Sequence, residues 1–169
     1  MNSNGALEKL LKSFESYYNI STSDIEAPFS AEATFKSHGE QYFLVKAAKL
    51  SDLDSNEFVF FYSPHSTASG TIPLSAEEVS ELAQIAWERG LSRIKPYYGH
   101  RNSDVTLIFL SEKISDESFK KIKKLNLYKS YKFGLYGWSS FRALAYETST
   151  GRFATNRRGS DLKKIVGSL

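Results

Sequence analysis

The residues of this chain best suited to bind a partner are cations and tyrosines that lie close together in its C-terminal half. The segment from Lys95 to Arg101 carries Tyr97, Tyr98 and His100 between its two cations. Single-stranded nucleic acids are bound by this combination, because bases stack on aromatic rings and phosphates pair with Lys or Arg. Tyrosines that flank strands are also common as half-buried sheet residues, so the pattern leaves a packing role open.

Further cations follow along the chain and extend this candidate surface. The candidate binding residues are Tyr97, Tyr98, His100, Arg101, Lys129, Lys132, Arg142, Arg152, Arg157 and Arg158. Arg142 follows Phe141 on a predicted strand and therefore points to the opposite face, where it can line a groove. A predicted helix after Ser115 adds four lysines on one solvent face: Lys120, Lys121, Lys123 and Lys124. We interpret these residues as one basic, tyrosine-rich surface.

The charge of the chain is distributed unevenly. The formal net charge is only +3, but residues 1–84 carry five Lys or Arg against twelve Asp or Glu, and residues 85–169 carry 17 against seven. The sequence therefore predicts an acidic surface in the N-terminal half and a basic surface in the C-terminal half. A basic surface can meet the acidic surface of a second copy in a homodimer, or it can meet the phosphates of a nucleic acid.

The motifs of the chain give little support to catalysis. No GxGxxG, GxxxxGK or GxSxG motif is present, and the absence of cysteine excludes disulfides, thiolate metal sites and a cysteine nucleophile. His38, His65 and His100 fall in predicted turns, and the only ligand-like spacing is that of His38 and Glu40 at a hairpin tip. We therefore predict no metal and no cofactor, leave catalytic residues unassigned, and favour a binding protein over an enzyme.

A mixed α+β domain must position these residues. Helical periodicity predicts a helix over residues 5–18, and a capping box of Ser75 and Glu78 predicts a second over residues 76–89, with Gly90 as its exit. The predicted order is α-β-β-β-α-β-α-β-β-β-α, with about six strands in a twisted, mainly antiparallel sheet covered by about four helices. We assign Trp138, Phe141 and Leu144 to its packing. The 169 residues fit one domain over residues 1–169.

The sequence pattern predicts neither secretion nor insertion into a membrane. Charged residues interrupt the apolar positions near the N-terminus, and the longest apolar stretches, residues 58–62 and 105–110, have the length of strands. We therefore expect a soluble, cytoplasmic protein that does not contact a membrane.

The element order resembles the core of the restriction-endonuclease-like fold. Its nucleases use an acid on the second strand and an acid-x-Lys on the third, because these carboxylates hold a divalent cation. Here the second predicted strand, QYFLVKAAKL, carries no acid, and the third offers Glu57 without the lysine. A degenerate metal-dependent nuclease is therefore an alternative only if at least two of the carboxylates of Glu32, Glu40 and Glu57 converge in the fold.

Several segments also resemble a known family. EQYFLVKAAKL, NEFVFF and a C-terminal stretch with KFGLYGWS and ATNRRG resemble a family of short bacterial proteins catalogued as a domain of unknown function. The resemblance covers the chain from about Ser30 onward and implies a single bacterial, cytoplasmic domain. It transfers no functional residue, because the motifs have no assigned role.

Together these patterns predict a non-catalytic binding or interaction protein. Its basic, tyrosine-rich C-terminal surface would serve self-association or a protein partner. The alternatives are a nucleic-acid-binding protein and the degenerate nuclease.

Overall fold

A computed structural model describes residues 2–35, 56–64, 72–100 and 102–169 of the chain. The second predicted strand lies outside these residues, as do the predicted turns with His38, Glu40 and His65, and so does Arg101. Within the described residues, four α-helices and a mixed seven-stranded sheet confirm the α+β class.

The described elements have the predicted pattern of helices and strands. They are α1 (Ser3–Phe14), β1 (Tyr18–Ser21), β2 (Ala31–Phe35), β3 (Asn56–Tyr62), α2 (Ala76–Arg93), β4 (Asn102–Ser111), α3 (Asp116–Lys124), β5 (Tyr128–Ser130), β6 (Trp138–Glu147), β7 (Phe153–Thr155) and α4 (Lys163–Val166). The strands are not all the predicted ones, because β1 was not predicted and the second predicted strand lies outside the described residues. Short 3-10 turns cover Lys132–Gly134 and Ser160–Leu162.

The sheet has parallel strands at its centre and antiparallel strands at its margins. The strand order is β1-β2-β3-β4-β6-β5, and β7 also pairs with β6. The neighbours β3, β4 and β6 run parallel, while the other four pairings of described strands are antiparallel. The long helix α2 links β3 to β4, because parallel neighbours need a crossover connection.

Apolar side chains on both faces of the central strands build two cores. On one face, Phe60, Leu107 and Phe141 pack with α2 and α3. On the other face, Ile108 and Leu144 pack with α1. The strand β4 is buried along most of its length, as expected for a central strand that is covered on both faces.

The sheet face that packs against α1 is apolar at its centre and becomes polar toward the amino ends of the parallel strands. The α1 core includes Val59, Ile108 and Leu144, whereas Glu57 and Asp104 precede them on β3 and β4 and lie in register with each other. These polar residues share the sheet face of the α1 core because side chains on a strand alternate with a period of two.

Three local predictions were wrong. The strand β1 lies in a segment predicted as helix end and loop, and it forms by antiparallel pairing with β2. The helix α2 continues to Arg93, and Gly90 lies inside it, where a Cβ would be 2.4 Å from Val105 Cγ2. Glycine therefore allows helix and strand to approach closely. Trp138 is 39% exposed, in contrast to the fully buried Phe141.

Candidate functional site

Arg142 is the centre of a group of ionic side chains at the amino ends of the parallel strands. Its Nη1 donates to Glu57 Oε1 at 2.7 Å, and its Nη2 donates to Asp161 Oδ2 at 2.5 Å. The Oδ2 atom of Asp104 lies 3.8 Å from Nη1. We call Arg142 and these three carboxylates the Arg142 cluster. Its members come from β3, β4, β6 and the 3-10 turn before α4.

Two hydroxyl groups complete the hydrogen bonding of Glu57. Thr106 Oγ1 donates to Glu57 Oε1 at 2.8 Å, and Tyr18 Oη donates to Glu57 Oε2 at 2.5 Å. Burial, together with the neighbouring carboxylate of Glu57, raises the pKa of Tyr18 above its ordinary value. Tyr18 therefore keeps its proton at physiological pH and acts as a donor.

Burial also perturbs the charged groups of the cluster. It raises the pKa of Asp104 to about 6, although Arg142 acts in the opposite direction. Burial lowers the pKa of Arg142, but Glu57, Asp161 and Asp104 together raise it above its ordinary value. The guanidinium is thus permanently charged, whereas a pKa of about 6 allows Asp104 to change its charge in mildly acidic solution.

The geometry separates the carboxylates proposed for a nuclease site. Glu32 faces α2, where its carboxylate lies 2.7 Å from Arg93 and 3.6 Å from Arg89, whereas Glu57 lies on the opposite face of the sheet. Glu40 is outside the described residues. Among the residues that the structure describes, no three acidic or histidine side chains are grouped so that they could hold a metal ion. The cation held by Glu57 is the guanidinium of Arg142.

A second candidate region lies at the edge of the sheet formed by β5. Its exposed rings and apolar side chains are Tyr97, Tyr98, Tyr128, Phe133, Leu135 and Trp138. Tyr98 approaches Tyr136 with ring centroids 6.3 Å apart, and Trp138 pairs with Ser130 of β5 and Asn102 of β4. We call these six side chains, with Lys129, Lys132, Arg157 and Arg158, the aromatic edge.

The loop between β5 and β6 holds Phe133 fully exposed to solvent. Lys132, Phe133 and Gly134 have φ values of 48°, 55° and 88°, all in the left-handed region. This conformation costs a residue with a side chain about 1–2 kcal/mol. Tyr131 N–H donates to the Gly137 carbonyl at 3.0 Å and closes the loop. The exposed ring thus stands on a tight, defined turn, and such strained positions point to a functional role.

Cations lie over the rings of the aromatic edge. Arg158 is 4.9 Å from the centroid of the Tyr128 ring, and Lys129 is 5.6 Å from that of Tyr131. Neither these two cations nor Lys132 and Arg157 form an ion pair within the described ranges. Residues 118–160 contain ten Lys or Arg and a single acid, Glu147, which is buried. The edge therefore carries an excess of cations, of which Arg158 also interacts electrostatically with the carboxylate of Asp104.

The structure brings only part of the predicted binding set together. Contacts place Tyr98, Lys129, Lys132 and Arg158 at the aromatic edge, and we assign the exposed Tyr97 and Arg157 to it as the chain neighbours of Tyr98 and Arg158. Arg152 lies beside α3, where it pairs with Asp116 at 2.5 Å. Arg101 is outside the described residues.

Two members of the predicted set lie in the interior. His100 is 2% exposed, and its Nε2 lies 3.0 Å from Ser103 Oγ. Arg142 has the predicted orientation opposite to Phe141, but its guanidinium is enclosed by the Arg142 cluster. Both side chains thus stabilise the fold, and neither lines the edge.

Sequence reasoning missed Phe133, Leu135 and Asp104. The glycines Gly134 and Gly137 indicate a turn, and an apolar residue at the tip of a turn indicates an exposed side chain that can contact a partner. Asp104 opens an otherwise apolar strand, and its position two residues before Thr106 places both on one face. Its proximity to Arg142 depends on the pairing of β4 with β6, which no local pattern reveals.

A comparison with known protein families shows the family to which the chain belongs. A family model described as "Domain of unknown function (DUF8052)" matches residues 2–167. The chain belongs to this family. The match confirms the resemblance to an unknown-function family and extends it to α1 and β1.

The comparisons with curated proteins and with solved structures found no match. The relation to the restriction-endonuclease-like fold stays a prediction. In the described part of this DUF8052 chain, no helix has the length and apolar character needed to cross a bilayer.

Proposed function

We propose that this DUF8052 protein is a non-catalytic binding protein that holds single-stranded nucleic acid along the aromatic edge. The observation that carries the proposal is the fully exposed Phe133 ring on a fixed turn, at an edge whose cations Lys129, Lys132 and Arg158 form no ion pair with a described carboxylate. Base stacking on an aromatic side chain contributes about 1–3 kcal/mol and tolerates any sequence.

The charge of the edge requires a negatively charged partner. A second copy that docked by the same edge would bring Lys129, Lys132 and Arg158 against their own counterparts. The strand β5 is only three residues long and carries Lys129 at its centre, features that oppose pairing between edge strands. A phosphate chain instead neutralises these cations and releases counterions.

The rings and cations alternate in a way that suits a single strand. Arg158 lies over Tyr128 and Lys132 lies over Tyr136, which also contacts Tyr98, while Phe133 is exposed beside Lys132 in the chain. Unpaired bases can stack on such rings while the backbone follows the cations, whereas the bases of a duplex are already stacked on each other. We therefore expect a preference for single strands over duplexes.

Self-association is a second candidate, favoured by the outer faces of α2 and α3. Glu77, Glu81 and Glu88 are exposed on α2, and four lysines are exposed on the adjacent α3. A two-fold axis along the groove between these helices would place α2 of each copy on α3 of the other. Exposed charge pairs contribute only about 0–1 kcal/mol each. This homodimer would be weak and would dissociate in salt.

The test of the proposed function is binding of a labelled oligothymidine by fluorescence anisotropy at low salt. We expect Lys129→Glu with Lys132→Glu, and separately Phe133→Ala, to weaken binding by about tenfold or more, because each removes about 1.4 kcal/mol or more. The matched control is Lys9→Glu with Lys12→Glu on the exposed side of α1, which makes the same charge change. It should alter affinity by about twofold or less.

Three results would refute the proposed function. The oligonucleotide could fail to bind at low salt, a duplex could bind as tightly as the single strand, or the α1 control could weaken binding as much as the edge variant. Sedimentation of the same samples identifies the second candidate, which predicts a salt-sensitive dimer that Glu81→Lys disrupts and Phe133→Ala does not.

A further inference from the structure

A groove of about 460 Å³ lies between α3 and β7, away from the aromatic edge. Its lining includes Asp116, Phe119, Lys120, Lys123, Arg152 and Phe153. The volume is in the range of small-molecule sites, which is about 300–1,000 Å³. The chemistry of the groove is set by three cations and two aromatic rings.

Arg152 is fixed in the groove. Its Nη2 donates to Asp116 Oδ1 at 2.5 Å, and its guanidinium carbon is 4.6 Å from the centroid of the Phe119 ring. Its Nη1 makes no hydrogen bond within the described part of the chain. A guanidinium held on one side and open on the other is preorganised to donate to a phosphate oxygen.

The charges of the groove match a phosphate monoester. Lys120, Lys123 and Arg152 face one exposed carboxylate, that of Asp116. Glu147 lies 4.0 Å from Arg152 Nε, but its oxygens accept from the Ile114 N–H and the Thr150 hydroxyl. Neither lysine has an ion pair in the described residues. Counted against Asp116 and Glu147, the three cations leave an excess of about one positive charge, and a phosphate monoester, which carries about −1.5 to −2 at pH 7, is opposite in sign to this excess.

The aromatic wall of the groove indicates the rest of the ligand. Phe153 lines the groove and is 43% exposed, so its side chain is accessible to a bound group. Phe119 lies under the guanidinium and keeps that side of the groove apolar. A ligand that contacts both the aromatic side chains and the cations of the groove has a flat ring system and a terminal phosphate.

We propose that the groove between α3 and β7 binds a nucleoside monophosphate, with its phosphate on Lys120, Lys123 and Arg152 and its base against Phe153. The proposal does not depend on the aromatic edge, because the two regions share no residue. A phosphate group and a base are both required, so free phosphate and an unphosphorylated nucleoside are the two discriminating ligands.

Calorimetric titration with adenosine 5′-monophosphate, inorganic phosphate and adenosine tests the proposal. We expect the monophosphate to bind at least about tenfold more tightly than inorganic phosphate or adenosine, because it contacts both the cations and Phe153. Lys120→Ala with Lys123→Ala should weaken its binding by about tenfold or more, since the variant removes two phosphate contacts. Phe153→Ala should weaken binding of the monophosphate and leave that of phosphate unchanged.

The same helix supplies a matched control. Lys121 and Lys124 are exposed on α3 but do not line the groove. Their replacement by Ala removes the same charge and should change affinity by about twofold or less. Lys129→Glu with Lys132→Glu should leave monophosphate binding unchanged, which separates this site from the aromatic edge. Circular dichroism of each variant confirms that it is folded.

Several results would overturn the proposal. Equal binding of phosphate and the monophosphate would show that the base is not recognised. Equal binding of adenosine would show that the phosphate is not recognised. An equal loss from the Lys121 and Lys124 control would show that only diffuse charge acts, and no binding of the monophosphate at low salt would exclude the site.

Discussion

Asp104 carries a carboxylate that the fold makes difficult to ionise. Burial raises its pKa from 3.8 to about 6, and Glu57 and Asp161 act in the same direction against Arg142. The folded chain therefore binds this proton more tightly than the unfolded chain. The stabilisation from the protonated form is fully present below about pH 4 and is lost as the pH rises toward about 6.

The first prediction concerns the substitution Asp104→Asn. A shift of about two pKa units corresponds to about 3 kcal/mol, so removing the ionised carboxylate should raise the free energy of unfolding by up to that amount near pH 8. Near pH 4 the gain should fall below about 1 kcal/mol, because the folded wild type is then already neutral at this position. Urea unfolding at the two pH values measures both quantities.

The exposed Asp161 supplies the control for that prediction. Its side chain is 59% exposed, and its carboxylate accepts a hydrogen bond from Arg142 Nη2. Asp161→Asn should therefore destabilise the protein slightly near pH 8. A destabilisation by Asp104→Asn that is the same at both pH values would contradict the account of Asp104.

The contacts of Arg142 show which residue-level features the sequence could not predict. The alternation of Phe141 and Arg142 predicted the direction of the Arg142 side chain correctly. Its partners Glu57 and Asp161 are 85 and 19 positions away and come from separate elements. The tertiary pairing of strands decides these contacts, so the sequence indicated a groove-lining cation where the structure has an enclosed one.

Among the elements, β5 and β7 both pair with β6 on the same side and leave a gap between them. Asn156 fills this gap with its buried side chain. Its Oδ1 accepts from the N–H groups of Ala143 and Gly159, each at 2.9 Å. Its Nδ2 donates to the carbonyl groups of Phe141 and Leu125 at 2.9 Å and 3.0 Å. The side chain thus joins β6 to the end of α3.

The second structural prediction follows from these four bonds. Asn156→Ala leaves buried backbone groups without partners, and each such group costs about 1–3 kcal/mol. We expect a loss of about 3 kcal/mol or more in the free energy of unfolding, measured by urea titration. Asn126→Ala is the matched control, because Asn126 is exposed and, among the described residues, its side chain accepts only a 3.4 Å bond from Arg158. A loss of similar size in both variants would contradict this role.

Elements with strong local signals were predictable, and elements that depend on pairing were not. The capping box of Ser75 and Glu78 forms both reciprocal bonds, and Ser115 caps α3 as predicted. The strand β1 has the sequence YNIS, which is too short and polar to show a period of two. It exists because β2 offers a partner, and that partner is invisible to a local pattern.

For the whole molecule, the uneven charge of the sequence becomes a set of distinct surfaces. The acidic residues of α2 lie beside the lysines of α3, so opposite charges occupy neighbouring helices of one face. The aromatic edge extends around the start of β6, and no acid falls between residues 118 and 146. Composition predicted the excess of positive charge, but only the sheet order shows which cations share an edge with exposed rings.

The salt dependence of oligothymidine binding is the measurement that tests the central claim most directly. Four cations of the aromatic edge, each releasing a counterion, predict a slope of log affinity against log salt of about −3. Lys129→Ala with Lys132→Ala should reduce the slope to about −1.4, because two contacts remain. No measurable binding at low salt, or a slope that this variant leaves unchanged, would contradict the assignment of the aromatic edge as a nucleic-acid-binding surface.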